Sequence, residues 1–436
     1  MKFNYITVLS NWLTGYDKYS KKYSKNNLGR STYPNEFYLL KENEFYIGLN
    51  KAKKLINKIN IENEEIFSSN KIIRIETIIK ENCVNKNEKN GLGWVVNQNW
   101  IKVENVYIYE NEKWNLSNVE ELTAMAYKLN YNNLLPYSLL KPRSLSILPV
   151  AKACQAACKF CFSESSISFD QKRSIPDIEV LRNTCIEAKN KGAERFVITG
   201  GGEPTLINFE KLIEIVKIAK LYFNKIILIS NGLFLSEEKE DKIIEKLNLL
   251  IEAGLTVLSL SYHHYDFYKN SHIMGKEIKT EFLLDILKKN LFNEKITLRL
   301  ICVLQKEGVN NIIEIENYIK YAISKNVHQV CFKELYVSST EESIYSYQEE
   351  NKYSEINQVS LSVLINYLET KSKKIAELPW GSPVYNYKGL IDIAAYTEPS
   401  VGWERLNGIA RSWNLMSDGK CFASLEDNNS VLEIKR

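Results

Sequence analysis

The chain has 436 residues, 44% of them hydrophobic and 25% charged, the balance of a globular protein able to bury a sizeable core. Its 57 basic and 53 acidic residues leave a formal net charge of only +4, which points to neither nucleic acid nor a membrane surface. No run reaches the roughly 20 apolar residues needed to span a bilayer, and MKFNYITVLSNWLTG at the start lacks the form of a secretory signal, so a cytoplasmic location is expected.

Residues 1–140 read as a separate α/β unit of unassigned role, with substrate recognition one candidate task. Within it, KYSKKYSKNNLGR (18–30) is basic and interleaved with tyrosines, the pattern of a solvated loop. LNKAKKLINKI (49–59) has a helical period, and KIIRIETIIKENC (71–83) reads as a strand. KPRS (141–144) is the expected junction.

Beyond it, short apolar runs alternate with longer amphipathic stretches, the pattern of buried parallel strands linked by helices. The runs are SLSILPV (144–150), FVIT (196–199), KIILIS (225–230), TVLSLSY (256–262), ITLRLICVL (296–304) and HQVCFKEL (328–335). Helices are expected over 175–192, 208–223, 278–292 and 311–326, with Gly192 at the C-terminus of the first. Six such repeats give an α/β fold class, a partial (β/α)6 TIM-type barrel over 141–340. Residues 341–436 are expected to cap it: one helix over 355–374, a strand in GLIDIAAYTEP (389–399), and a hairpin over 410–427 turning at SDG. WGSPVYNYKG (380–389) and EPSVGWERLNG (398–408) read as loops.

Three of the chain's eight cysteines, Cys154, Cys158 and Cys161, fall within AKACQAACKFCFSE, directly after the first barrel strand. The other cysteines are scattered singly, so in a reducing compartment the trio reads as metal ligation or catalysis. Thiolates suit zinc or iron–sulfur clusters. A fourth ligand is missing from the motif, so either a distant cysteine such as Cys185 completes a zinc knuckle, or the site is left open by design.

C-x3-C-x2-C with an aromatic, Phe160, before the third cysteine resembles the signature of the radical S-adenosylmethionine (SAM) enzymes. TGGGEPTL (199–206), after the second strand, resembles the family's GGE motif in Gly201, Gly202 and Glu203. The resemblance implies a [4Fe–4S] cluster on Cys154, Cys158 and Cys161, with SAM itself completing the open iron. It further implies Phe160, Gly201, Gly202 and Glu203 at the cofactor, the Glu203 carboxylate receiving the methionine ammonium. The implied reaction is reductive cleavage of SAM to a 5′-deoxyadenosyl radical that abstracts hydrogen from a substrate. It needs an external electron donor of flavodoxin or ferredoxin type. A peptide or amino-acid-like substrate is the first reading; a nucleoside, sugar or other small metabolite is the second.

Strand alternation adds candidates without reference to the family. Ser259, Ser261 and His263 share one face of the fourth strand, Arg299 lies opposite Leu298 and Leu300 on the fifth, and Gln329, Cys331 and Lys333 share a face of the sixth. Polar residues recurring on one face suggest a ligand-lined interior. By resemblance, Ser261 fits a contact to the SAM ribose or carboxylate and Arg299 one to the methionine carboxylate. Asn231, in the SNG turn after the third strand, is a further candidate. His263, at the strand's C-terminal end, is a proton-transfer or substrate candidate, with His264 beside it. NLMSDGKCFAS (414–424) resembles the start of a SPASM or twitch extension but holds only Cys421, so a single cluster is expected. Cys421 as a thiol hydrogen donor, with His263 and Lys333, completes the candidate catalytic set.

Overall fold

The structure, a computed structural model, describes residues 2–8, 38–41, 44–48, 72–78, 100–110, 113–118, 134–150, 152–162, 177–337, 345, 348–399 and 401–434. The helix expected over 49–59, the basic segment 18–30 and Cys83 lie outside the described residues.

The N-terminal part forms a six-stranded antiparallel sheet. Its strands are β1 (Lys2–Val8), β2 (Tyr38–Lys41), β3 (Glu44–Gly48), β4 (Ile72–Ile78), β5 (Trp100–Glu110) and β6 (Lys113–Ser117), in the order β1-β4-β5-β3-β2 with β6 against β5. The strand expected in KIIRIETIIKENC is β4, where alternating apolar residues pair along both β1 and β5.

A short strand, β7 (Lys141–Pro142), leads into the larger sheet and pairs with β17 (Ile409–Ala410) far along the chain. The six expected parallel strands are all present: β8 (Ser144–Leu148), β9 (Arg195–Ile198), β10 (Ile226–Ser230), β11 (Val257–Ser261), β12 (Thr297–Leu304) and β13 (Gln329–Glu334). Each carries one apolar face into a continuous core with the helices, as Leu258 and Leu260 of β11 and Leu298 and Leu300 of β12 do. The connecting helices are α1 (Ile178–Asn190), α2 (Phe209–Lys220), α3 (Leu233–Ser236), α4 (Glu240–Ala253), α5 (Phe267–Met274), α6 (Thr280–Lys289), α7 (Phe292–Lys295) and α8 (Ile312–Ser324). Asp177 caps α1 by accepting from the Glu179 N–H, and Gly192, at φ 107°, takes the left-handed turn that follows it.

The C-terminal segment does more than cap this sheet. After helices α9 (Glu349–Asn357) and α10 (Leu361–Lys371), strands β14 (Ser372–Glu377), β15 (Pro383–Tyr387) and β16 (Ile391–Tyr396) extend the sheet beyond β13. Helix α11 (Val401–Asn407) then carries the chain to β17, which pairs with β7, and on to β18 (Trp413–Met416), β19 (Cys421–Phe422) and β20 (Val431–Leu432), which extend the large sheet beyond β8. β16 runs parallel to β13 and β18 parallel to β8, so eight consecutive parallel strands line up as β16-β13-β12-β11-β10-β9-β8-β18. The sheet's ends are β14 and β20, so it does not close through backbone hydrogen bonds. Side chains bridge the opening instead: Glu398, just past β16, pairs with Arg411, just before β18, and accepts from Lys333 Nζ of β13 at 2.8 Å.

Three local expectations need correction. The single helix expected over 355–374 is two helices, because Gln358 is extended and Ser360 opens α10 by accepting from the Ser362 N–H. The apparent loop WGSPVYNYKG contains β15, and EPSVGWERLNG contains α11. Tertiary pairing with β16 holds β15 in place despite its turn-rich flanks. The hairpin turning at SDG is present as β18 and β19.

Leu415 of β18 is fully buried opposite Ile147 of β8. Leu415→Ala should therefore cost about 2–5 kcal/mol of stability, read as a lower urea midpoint; a change under about 0.5 kcal/mol would place β18 outside the cooperative core.

Candidate active site

Three loops meet at the C-terminal ends of β8, β9 and β10, where the sites of parallel α/β sheets form. The first carries the cysteines, the second TGGGEPTL and the third Ser230-Asn231-Gly232. They are stitched by backbone bonds: Gly202 N–H donates to Val150 O at 2.9 Å and Glu203 N–H to Ala153 O at 2.8 Å. A Cβ on Gly202 would stand 2.0 Å from Ala153 O, so only glycine lets the two loops approach this closely.

Glu203 binds the third loop to the other two. Its carboxylate is 3% exposed and accepts from the Asn231 N–H at 2.8 Å, the Ser230 hydroxyl at 2.8 Å, the Thr205 hydroxyl at 2.7 Å and the Thr205 N–H at 3.2 Å. Burial pushes its pKa up while these four donors oppose the shift. Its acceptor capacity is largely engaged inside the protein, and it acts as a brace. Gly201 is buried in the same turn.

Asn231 completes the connection. Its Oδ1 accepts from the Leu233 N–H at 2.9 Å, while Nδ2 faces Gln155 Oε1 at 3.2 Å and Cys154 Sγ at 3.9 Å. The Ala156 N–H also points at Cys154 Sγ, at 3.4 Å. On the other side of the loop, Ala157 N–H donates to Met274 O at 2.8 Å and Cys158 Sγ lies 3.8 Å from the same carbonyl. Cys154 is exposed, whereas Cys158 and Cys161 are half-buried. Burial, then the neighbouring Cys161 and Cys154, pushes the Cys158 thiol up to about 12. The charges of Cys161 and Cys154 are felt at Cys158, thiolates so coupled repel one another unless cations neutralise them, and N–H groups aimed at sulfur are the usual companions of metal-bound thiolates. The donor set therefore fits an iron–sulfur cluster. Among the described residues no three His, Cys, Asp or Glu side chains already converge closely enough to hold a single metal ion.

Phe160 lies edge-on to His263, ring centroids 5.1 Å apart. His263 is 4% exposed; its Nδ1 accepts from the Val303 N–H at 3.2 Å and its own N–H donates to Asn270 Oδ1 at 2.8 Å. Burial, reinforced by the Lys333 charge, drops its pKa to about 3, so the ring is neutral at every physiological pH. This suits a wall behind Phe160 better than a proton shuttle. His264 is buried as well, with Nδ1 accepting from the Asp266 N–H at 2.9 Å.

The remaining candidates separate. Ser261 ends β11, next to Ile301 in register. Arg299 is the third residue of β12, well short of that strand's C-terminal end, and its Nε and Nη2 both donate to Gln329 Oε1, at 3.0 and 2.7 Å. Lys333 is committed to Glu398 and lies 5.1 Å over the Tyr396 ring. Burial pushes its pKa down to about 8, and the adjacent carboxylate favours the charged form. Cys421 is 1% exposed and belongs to the core shared with the helices. Burial pushes its thiol pKa up. Cys331 faces the barrel interior between Arg299 and Lys333 on the register.

Sequence reading missed Thr205 and Ser230, although both sit inside quoted motifs, because their partner is a carboxylate from another loop. It also missed an aromatic group beyond the third cysteine: Phe162 packs on Tyr345 at 4.8 Å and Tyr336 at 5.8 Å, and the Tyr336 hydroxyl donates to Glu426 Oε2 at 2.9 Å. Nothing in the spacing of Tyr336, Tyr345 and Glu426 announces that contact.

Residues 148–319 match the family model described as the Radical SAM superfamily. YydG of Bacillus subtilis (strain 168), provisionally named a peptide biosynthesis protein, is 34% identical over 123 residues, which cover 28% of this chain and 36% of YydG. The chain thus spans about a third of the length of this curated relative. Among solved structures, Streptococcus suis SuiB bound to the precursor peptide SuiA is similar, with a TM-score of 0.42 and 18% identity over 72% of this chain and 66% of SuiB. The coproporphyrinogen III oxidase HemN from Escherichia coli gives a TM-score of 0.34 and 13% identity over 56% of this chain and 55% of HemN.

Glu203→Ala leaves buried donors on Thr205, Ser230 and Asn231 unpaired. It should cost about 1–3 kcal/mol and lower the iron retained after reconstitution, measured by thermal unfolding and metal analysis. Unchanged iron content would show that the three loops hold their places without the brace. Acid stability is a second check. Folded His263 resists protonation down to about 3, while the unfolded side chain accepts a proton near 6.5, so stability is lost as pH falls through that window. His263→Asn should flatten the decline; an unaltered slope would assign it to other groups.

Proposed function

We propose that the protein is a radical SAM enzyme using one [4Fe–4S] cluster, with a peptide as its substrate, a reading supported by the match of residues 148–319 to the Radical SAM superfamily model. The observation that carries the reading is the conjunction of Cys154, Cys158 and Cys161 with the GGE loop, joined through Gly202, Glu203 and Asn231 into one rigid rim. The peptide substrate class is supported by the likeness to YydG.

Cys154, Cys158 and Cys161 would hold three irons, leaving one for the amino and carboxylate groups of SAM. When bound, cluster and SAM together supply a one-electron reductive cleavage that yields methionine and a 5′-deoxyadenosyl radical able to take hydrogen from a substrate. The electron would come from a flavodoxin- or ferredoxin-type protein.

The chain's own residues prepare this step by orienting and excluding water. Glu203 fixes the second and third loops relative to the first. Asn231 Nδ2 and the Ala156 N–H direct positive dipoles at Cys154 Sγ, stabilising its thiolate. Phe160 and His263 seal the interior side of the cysteine loop with neutral rings. Ser261 presents a hydroxyl at the end of β11, where a bound nucleoside or amino acid could receive it. Phe162, Tyr336 and Tyr345 wall the side facing β13.

The test is anaerobic reconstitution with iron and sulfide, then dithionite and SAM, with 5′-deoxyadenosine read by mass spectrometry. Wild type should form it, and Cys154→Ala, Cys158→Ala and Cys161→Ala should each lose it by a factor of about 100 or more, as expected for loss of a cluster ligand. A colourless, zinc-loaded wild type that never cleaves SAM would refute the reading. Full cleavage in any one variant would remove that cysteine from the ligand set.

A further inference from the structure

The N-terminal half of the larger sheet holds a group of cations that the proposed chemistry leaves unused. Arg195 opens β9, Lys225 immediately precedes β10, and Arg299 is the third residue of β12. The Lys225 carbonyl accepts from the Phe196 N–H at 2.9 Å, which sets Arg195 and Lys225 side by side. Arg299 is paired in register with Ser259 of β11 and Gln329 of β13. Strand alternation puts all of these on the face opposite the apolar residues Phe196, Ile226, Leu258 and Leu298, hence on the interior side.

Their pairing is incomplete. Among the described residues Arg299 has two bonds to the neutral Gln329 amide oxygen and none to a carboxylate. Arg195 reaches Glu194 through Nη2 at 3.4 Å, but Glu194 is largely exposed and shared with Arg143, while the Arg195 Nε is buried with no hydrogen-bond partner. No hydrogen bond or ion pair joins the Lys225 ammonium to another described residue. The Ser259 hydroxyl, wholly buried in the same interior, also lacks a partner. The three cations act on one another: after burial itself, Arg299 and Arg195 hold Lys225 below its ordinary value, and Arg195 does the same to Arg299. Like charges gathered on an interior face with spare donors call for a counter-charge.

We propose that Arg195, Lys225 and Arg299, with the Ser259 hydroxyl, form a binding site for a small oxyanion inside the barrel, separate from the cysteine-bearing rim. Its ligand is a carboxylate or a phosphate group. The guanidinium of Arg299 and the Nε of Arg195 offer directed N–H donors, Lys225 a mobile ammonium, and Ser259 a short hydroxyl donor, a set matched to an oxyanion with several acceptor atoms. Chloride satisfies the charge but not the several donor directions.

The test is thermal unfolding of the full-length chain in inorganic phosphate, in acetate and in chloride at matched ionic strength. Phosphate or acetate should raise the Tm with increasing concentration beyond chloride, following saturable binding to the native state. A phosphate-only shift assigns a phosphate-bearing ligand, and a shift with both assigns the shared oxyanion chemistry, met by a carboxylate. Lys225→Met and Arg299→Gln should each remove most of that shift. In chloride both variants should unfold at or above the wild-type Tm, because each removes a poorly compensated interior cation. No oxyanion-specific shift in wild type, or the same shift in wild type and both variants, overturns the proposal.

Discussion

One buried carboxylate organises the candidate site. Glu203 is 3% exposed and surrounded by four donors from Thr205, Ser230 and Asn231. A buried carboxylate is tolerable only where such donors replace its lost water, so the positions of two loops are set by the need to satisfy it. Asn231, held through its backbone by Glu203, can then extend its side chain to Gln155 and Cys154. The geometry of the first cysteine thus depends on a glutamate nearly fifty residues further along the chain.

A second constraint is the unclosed sheet. Eight parallel strands curve from β16 to β18, but no backbone ladder joins those two. Glu398 bridges the gap with Arg411 and Lys333, and its environment is stabilised by both cations. Residues from the end of the chain therefore complete the sheet on each side: β16 beside β13 and β18 beside β8. Because β18 lies against the strand that launches the cysteine loop, the last forty residues bear directly on the base of the site.

Burial also separates packing residues from reactive ones. Cys421 and His263 both belong to residue types associated with chemistry, yet one sits in the helix-facing core and the other is held neutral behind Phe160. Desolvation disfavours the charged form of each, the thiolate and the imidazolium. Cys158 feels the same desolvation, but two neighbouring thiols and the N–H donors beside Cys154 give its loop the character of a ligand set.

Local sequence determined much of this protein. Apolar runs of strand length specified six parallel strands, because a strand buried on both sides must be apolar nearly throughout. The C-x3-C-x2-C and GGE spacings marked the rim, because ligands contributed by one short loop are legible without knowing the fold. Alternation within QVCFKEL gives Gln329, Cys331 and Lys333 one face of their strand, and Arg299 of TLRLICV lies in register with Gln329. Tertiary structure decided the rest. Whether Glu203 serves as ligand or brace depends on donors from Ser230 and Asn231 in another loop. Whether Arg299 reaches the rim depends on its height along β12. Whether Cys421 faces the interior or the core depends on β19 joining the sheet two strands beyond β8. Each of these is a long-range pairing, whose loop-closure entropy is offset only by contacts across the whole domain, so no local window of residues contains it.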